Sequence, residues 1–173
     1  MRGFYPQRVV CLTEETTETL YAIGAEDLIV GISGFTVRPA RARKEKPKVS
    51  TYLDAKFDEI LALRPDVVFA WSDLQADISA ELIRRGVNVV CFNHRSVEGI
   101  LEMIIRLGAF VGLAERAEGY AASLRRKVDD AAERGGRHTV RPRVYFEEWY
   151  DPLMTGICWV SEIIEICGGL DVF

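Results

Sequence analysis

An α/β fold is predicted for this 173-residue chain: an open, mostly parallel sheet, a long connecting helix, and the start of an incomplete second α/β lobe. Three observations predict it. Short apolar runs alternate with helix-like stretches through the first 95 residues, as in parallel sheets joined by right-handed helical crossovers. The run Val67-Val68-Phe69-Ala70 lacks polar alternation, as a strand covered on both faces requires. Gly135-Gly136-Arg-His-Thr-Val-Arg-Pro142 has the composition of a linker, and only one strand and one helix are read behind it. The expected divisions are a lobe over 1–95, a connecting helix and linker over 96–141, and the beginning of a second lobe over 142–173.

Each element has a local reason. Residues 8–12 read as a strand, and a helix over 16–23 is stopped by Gly24. A strand over 28–32 is followed by a basic irregular segment, Arg38-Pro-Ala-Arg-Ala-Arg-Lys-Glu-Lys-Pro-Lys48, and by a short strand over 48–50. Phe57, Ile60 and Leu61 recur at helical spacing within 55–63, and Arg64-Pro65 ends that helix before the strand 67–70. The pattern repeats with a helix over 77–85, closed by Gly86, and a strand over 88–92. After Ser96, an N-cap, Ile100, Leu101, Ile104, Ile105, Gly108 and Val111 form an apolar stripe, and a charged helix runs from Ala114 to about Arg134. Its charges read as a solvated face with i,i+4 pairs.

Behind the linker, residues 143–147 read as a strand, 148–156 as a loop and 159–167 as a helix closed by Gly168-Gly169. One strand and one helix cannot bury their own apolar faces, so this unit is expected to be completed by further chain or by another copy in a homodimer.

Bulk properties exclude several classes. A hydrophobic content of 49% supports a core, while a net charge of −4 argues against a nucleic-acid binder, which would show a basic face. No apolar stretch is long enough to span a bilayer. Residues 1–8 carry charge but no apolar h-region, so the chain is either cytoplasmic as it stands or a mature form whose export signal lies outside this sequence. Cys11, Cys91, Cys158 and Cys167 show no C-x-x-C spacing and are read as buried free thiols.

Ligands of open parallel sheets bind outside the carboxyl ends of the strands, which directs attention to Trp71, Ser72 and Asp73. The order of several runs carries a more specific likeness. Residues 8–13 with Thr17-Glu18-Thr-Leu-Tyr-Ala-Ile-Gly24-Ala25, then Ile29-Val-Gly-Ile-Ser33, Ile60-Leu-Ala-Leu-Arg-Pro-Asp-Val-Val-Phe-Ala70 and Glu165-Ile-Cys-Gly-Gly-Leu-Asp-Val-Phe173 follow one another as in a known family. The chain resembles the helix-linked periplasmic substrate-binding proteins of ATP-binding-cassette importers, nearest their cobalamin-binding branch.

That resemblance implies a non-enzymatic protein with no catalytic cofactor, holding a corrinoid such as cobalamin between two lobes in the periplasm for delivery to a permease. It implies Phe35, Tyr52 and Trp71 as a first-lobe platform, because broad aromatic side chains suit a broad, mostly apolar corrin. Trp149 and Tyr150 would face them, with Glu148 standing where the branch carries an aromatic. Asp58 would dock on the permease. Glu14-Glu15 replaces the family's Ser-Pro-Ser, making that lip more acidic. Arg38, of the basic segment the residue nearest the cleft, favours the alternative of an iron–siderophore or haem ligand. A further alternative is a cytoplasmic corrinoid-handling protein.

Other chemistry lacks its residues. Glu14 and Glu15 have no evident reactive partner, and His94 and His138 do not have the spacing of a metal pair, so His94 is read as a polar strand-end residue. No G-x-x-x-x-G-K-[ST], G-x-G-x-x-G or G-x-S-x-G occurs.

Overall fold

The structure is a computed structural model, and it describes residues 3–173. Five parallel strands form the main sheet: β1 (Val9–Cys11), β2 (Ile29–Ser33), β3 (Lys48–Ser50), β4 (Val67–Trp71) and β5 (Val89–Phe92), in the order β3-β2-β1-β4-β5. Helices α1 (Glu14–Ala22), α2 (Ala42–Glu45), α3 (Phe57–Ala62) and α4 (Ala76–Arg84) lie between successive strands. The basic segment thus contains a four-residue helix that its composition did not announce.

Alternation along the strands sorts side chains to the two faces. Val10, Leu12, Val49, Val68 and Ala70 pack with Ile60 of α3 and with Ile78 and Leu82 of α4 in one buried cluster. Phe69 points the other way, is fully buried, stacks on Phe92 at 5.9 Å and meets Phe110 edge-on at 5.6 Å. Both faces are therefore covered, which is why β4 reads as an uninterrupted apolar run.

The helical stretch after β5 is two helices, α5 (Val97–Phe110) and α6 (Ala114–Gly135). Gly112 separates them at φ +79°, a conformation that needs a residue without a Cβ. Gly108 lets them approach closely: a methyl group there would stand 2.1 Å from the Ala117 Cβ.

Two compact units result. Of the described residues, the first comprises 3–93 and 104–118, the second 94–103 and 119–173. In the second unit β6 (Arg143–Val144) pairs in parallel with β9 (Leu170–Asp171), and α7 (Cys158–Ile166) lies between them in sequence. The expected strand over 143–147 is cut to two residues, and the expected loop over 148–156 holds an antiparallel hairpin, β7 (Trp149–Tyr150) with β8 (Leu153–Met154). Glu162 accepts a hydrogen bond from the Val97 N–H at 2.6 Å, placing a carboxylate on the first turn of α5. Phe146, Trp149, Tyr150, Leu153, Met154 and Ile163 remain exposed.

The cysteines depart from expectation. Only Cys11 is buried; Cys91, Cys158 and Cys167 are exposed, and all four are free thiols. Cys91 lies on the edge strand β5, which leaves its residue open to solvent although the run reads as apolar.

Phe69→Ala should destabilise the protein by about 3–5 kcal/mol, because the cavity would open between two aromatic neighbours. Urea denaturation measures this, and a loss below about 1 kcal/mol would contradict the packing described.

Candidate functional site

Phe35 and Tyr52 are carried by two tight turns at the carboxyl edge of the sheet. After β2, Ser33 Oγ accepts from the Phe35 N–H at 3.1 Å and the Ser33 carbonyl accepts from Thr36 N–H at 3.2 Å. The Arg43 guanidinium braces this turn, donating from Nη1 to the carbonyls of Gly34 (2.6 Å) and Thr36 (2.8 Å). After β3, Thr51 N–H donates to the Asp54 carbonyl at 2.8 Å, and the Asp54 N–H returns a bond to Thr51 Oγ1 at 3.1 Å. Gly34 N–H donates to the Ser50 carbonyl at 2.8 Å, tying the two turns together. The rings they present are stacked, with centroids 4.9 Å apart and planes 18° from parallel. Phe35 is 49% and Tyr52 37% exposed, so the pair is open to a ligand and is not part of the core.

Trp71 ends β4, two strands from β2, with β1 between them. At about 4.8 Å per strand this spacing is roughly 10 Å. The sheet order reverses direction between β1 and β4, which is where open α/β sheets receive ligands. Trp71 is half-buried, Ser72 is buried and Asp73 is exposed.

A buried amide holds this edge, and sequence reading missed it. Gln75 Oε1 accepts from the Trp71 N–H at 3.1 Å, while its Nε2 donates to the Leu12 carbonyl at 3.3 Å, bridging the exits of β4 and β1. The same carbonyl accepts from Ser50 Oγ at 3.4 Å. The available signal was a lone glutamine four residues beyond a strand end, which alone does not separate a buried amide from a solvated one. Ser72 lies at φ +58°, ψ −179°, a region almost reserved for glycine. It is kept there by its N–H donating to the Phe92 carbonyl at 2.8 Å and by its Oγ accepting from Leu74 N–H at 3.2 Å.

Glu14 and Glu15 occupy the first turn of α1, immediately after β1. Tyr52 donates its hydroxyl proton to Glu14 Oε1 at 2.5 Å. Thr13 Oγ1 donates to Glu15 Oε1 at 2.6 Å. Although Glu15 as a residue is half-buried, burial of its carboxyl is the largest influence and raises its pKa; the Thr13 bond opposes this and the Glu14 charge adds to it.

Arg38 is largely exposed and pairs with Glu18 of α1 at 3.0 Å. Arg41 pairs with Glu26 at 2.7 Å and Glu45 at 3.5 Å and lies 4.7 Å over the Tyr21 ring. Tyr21 in turn donates to Glu45 at 2.7 Å. The basic segment is thus laced to acidic residues of the same unit.

Asp58 sits in the first turn of α3 with its side chain 99% exposed, 3.3 Å from Arg85. Arg85 also pairs with Glu81 at 2.7 Å and stacks 4.7 Å over the Phe57 ring. These residues, with Lys56 and Glu59, line a shallow hollow of about 310 Å³ beside the start of α3. Within the second unit, Trp149 and Tyr150 stack at 5.9 Å on the hairpin, the Trp149 indole donates to the Asp151 carbonyl at 3.0 Å, and Glu148 is exposed beside them. His94 is half-buried, with its ring 5.8 Å from that of Trp159. Burial and the nearby Arg95 charge lower its pKa.

The first unit therefore brings Phe35, Tyr52 and Glu14 into contact and sets Trp71 across the switch point. Arg38 is drawn to Glu18, and Asp58 pairs with Arg85.

Gln75→Ala should cost about 1–3 kcal/mol in urea denaturation, since it removes a donor from the buried Leu12 carbonyl and the acceptor of the Trp71 N–H; an unchanged midpoint would contradict the bridge. For Glu15, the folded-state pKa lies above the ordinary 4.5, so its contribution to stability is complete below that value and is lost as pH rises through the folded value. Glu15→Gln is therefore expected to melt higher than the unaltered protein near pH 8, with the difference closing toward about pH 4.5. Melting curves across that range check it, and a difference of the opposite slope would refute the buried carboxyl.

Among relatives, a vitamin B12-binding protein of Vibrio campbellii is 30% identical over 172 residues, covering 96% of this chain and 61% of that protein. The solved structure of the periplasmic vitamin B12 binding protein of Vibrio cholerae matches with a TM-score of 0.82 at 25% identity, over 97% of this chain and 66% of that one. A periplasmic heme binding protein from Pseudomonas aeruginosa matches with a TM-score of 0.71, also at 25% identity, over 82% and 52% of the two chains. The chain spans about three fifths of the length of the curated relatives it matches. The model of the periplasmic binding proteins matches residues 9–173 in order, and the chain belongs to that family.

Proposed function

We propose that this chain carries the first lobe and the beginning of the second lobe of a periplasmic substrate-binding protein that captures a corrinoid for an ATP-binding-cassette importer. The observation that supports it best is the exposed, stacked Phe35–Tyr52 pair at the carboxyl edge, with Trp71 about two strand spacings away across the switch point. A corrin is a broad, mostly apolar disc fringed with amides. Rigid aromatic side chains give such a disc a large contact area at little entropic cost. The names of the vitamin B12-binding relatives point the same way.

In this reading Phe35, Tyr52 and Trp71 are the first-lobe platform. Trp149, Tyr150 and Glu148 contribute from the second lobe, the indole and phenol as contact surface and the carboxylate as an acceptor for corrin amides. Arg38 stands at the margin. The ligand is held and released with no bond made or broken, as befits a binding-protein family. Asp58 is the permease-docking residue, and its Arg85 partner is an exposed one that a permease arginine can replace.

Absorbance titration of the complete two-lobed protein with cyanocobalamin should saturate. Phe35→Ala combined with Tyr52→Ala should weaken binding by about tenfold or more while leaving the melting temperature nearly unchanged, because both rings are exposed. No saturable binding, or an affinity indifferent to the double substitution, would remove the proposal.

A further inference from the structure

We infer that the platform selects a ligand that brings hydrogen-bond donors or positive charge to its rim and carries no net negative charge, with Glu14 as the selecting residue; this rests on the reading of Phe35, Tyr52 and Trp71 as the binding surface.

The polar atoms beside the stacked pair are acceptors. Tyr52 is the aromatic with a polar end, and its hydroxyl proton is committed to Glu14 Oε1. What the phenol oxygen offers a ligand is therefore lone pairs. A carboxylate is acceptor-only, with two oxygens and about four acceptor sites, so the Tyr52 bond orients Glu14 without filling it. Primary amides and cations satisfy such a rim. A ligand carboxylate does not, because it has no donor to give.

The charge around the rim agrees. The exit of β1 supplies Glu14, and the turn after β3 supplies the exposed Asp54. Against them the turn after β2 supplies Arg38 and, further along, Arg43. Arg38 is matched by Glu18 at 3.0 Å, and Arg43 donates to the carbonyls of Gly34 and Thr36. Both cations of that turn thus have partners within the first unit, while Glu14 adds a carboxylate whose partner, Tyr52, carries no positive charge. Like charges placed together at a binding surface reject a partner more sharply than attraction alone selects one.

The test compares corrins that share a ring and differ at the rim. The complete two-lobed protein is titrated, by quenching of tryptophan fluorescence, with cobinamide, whose side chains end in amides, with cobyrinic acid, whose side chains end in carboxylates, and with haemin. Cobinamide should bind at least tenfold more tightly than cobyrinic acid at low salt, and the ratio should shrink as salt screens the rim. Glu14→Lys should reduce that ratio by about tenfold, and Glu14→Gln by less, whereas Phe35→Ala should weaken both corrins alike. Equal binding of the two corrins, or a ratio untouched by Glu14→Lys, overturns the selectivity claim and leaves the platform standing. Failure of every corrin to bind overturns the platform reading, and haemin binding more tightly than either corrin overturns the corrinoid reading and the selectivity with it.

Discussion

At the carboxyl end of β1 the chain leaves the sheet, and the Leu12 carbonyl is taken up by side chains from both sides. Ser50 Oγ reaches it from the end of β3, and Gln75 Nε2 reaches it from beyond β4. A buried carbonyl left without a donor costs about 1–3 kcal/mol, so these side chains are constrained to stay. Their constraint passes outward. Gln75 holds the Trp71 N–H, Ser50 lies one residue before the Thr51–Asp54 turn that carries Tyr52, and the Ser50 carbonyl receives Gly34 N–H from the turn that carries Phe35. The three aromatics are exposed or half-exposed, yet their turns are fixed from beneath by one buried polar seam. A binding surface built this way loses little freedom when a ligand arrives.

Electrostatics divide the first unit into two regions. On one side the cations of the basic segment pair with nearby acids: Arg38 with Glu18 of α1, and Arg41 with Glu26 after α1 and with Glu45 of α2, which also accepts from the Tyr21 hydroxyl. Burial is the largest of the causes that raise the Tyr21 pKa, and its hydrogen bond to Glu45 follows, so the phenol stays a donor throughout the neutral range. On the other side, at the carboxyl edge, acidic residues predominate. Cys11 beneath this edge is inert, since burial pushes its thiol up to about 12 against the opposing bonds from Thr16 and Thr17. The edge is therefore equipped for recognition by shape and acceptors.

Polar contacts tie together distant parts of the second unit. Glu162 caps α5, Glu98 pairs with Arg125, and Ser161 bonds to Asp171. Its two small sheets have two strands each, below what usually supports an independent sheet. The uncovered aromatic and aliphatic side chains of its hairpin accord with the shorter span of this chain relative to its relatives.

Local sequence was enough for the strands and helices of the first unit because each is set by short-range rules: apolar runs, glycine stops at Gly24 and Gly86, and Arg64-Pro65 before β4. The same rules placed Phe35, Tyr52 and Trp71 just past strand ends. They failed for the hairpin at 149–154, where two-residue strands leave no periodicity to read, and for Cys91, whose exposure follows from β5 being an edge. The sequence by itself determined which residues stand at the rim. Only tertiary structure decided the rest: that Phe35 and Tyr52 stack, that Glu14 takes the Tyr52 proton, that Arg38 turns to Glu18, and that Gln75 is buried beneath them. The two longest-range of those outcomes depend on strand order, because the partners Tyr52 and Glu14, 38 positions apart, and Gln75 and Leu12, 63 apart, become neighbours only in the order β3-β2-β1-β4.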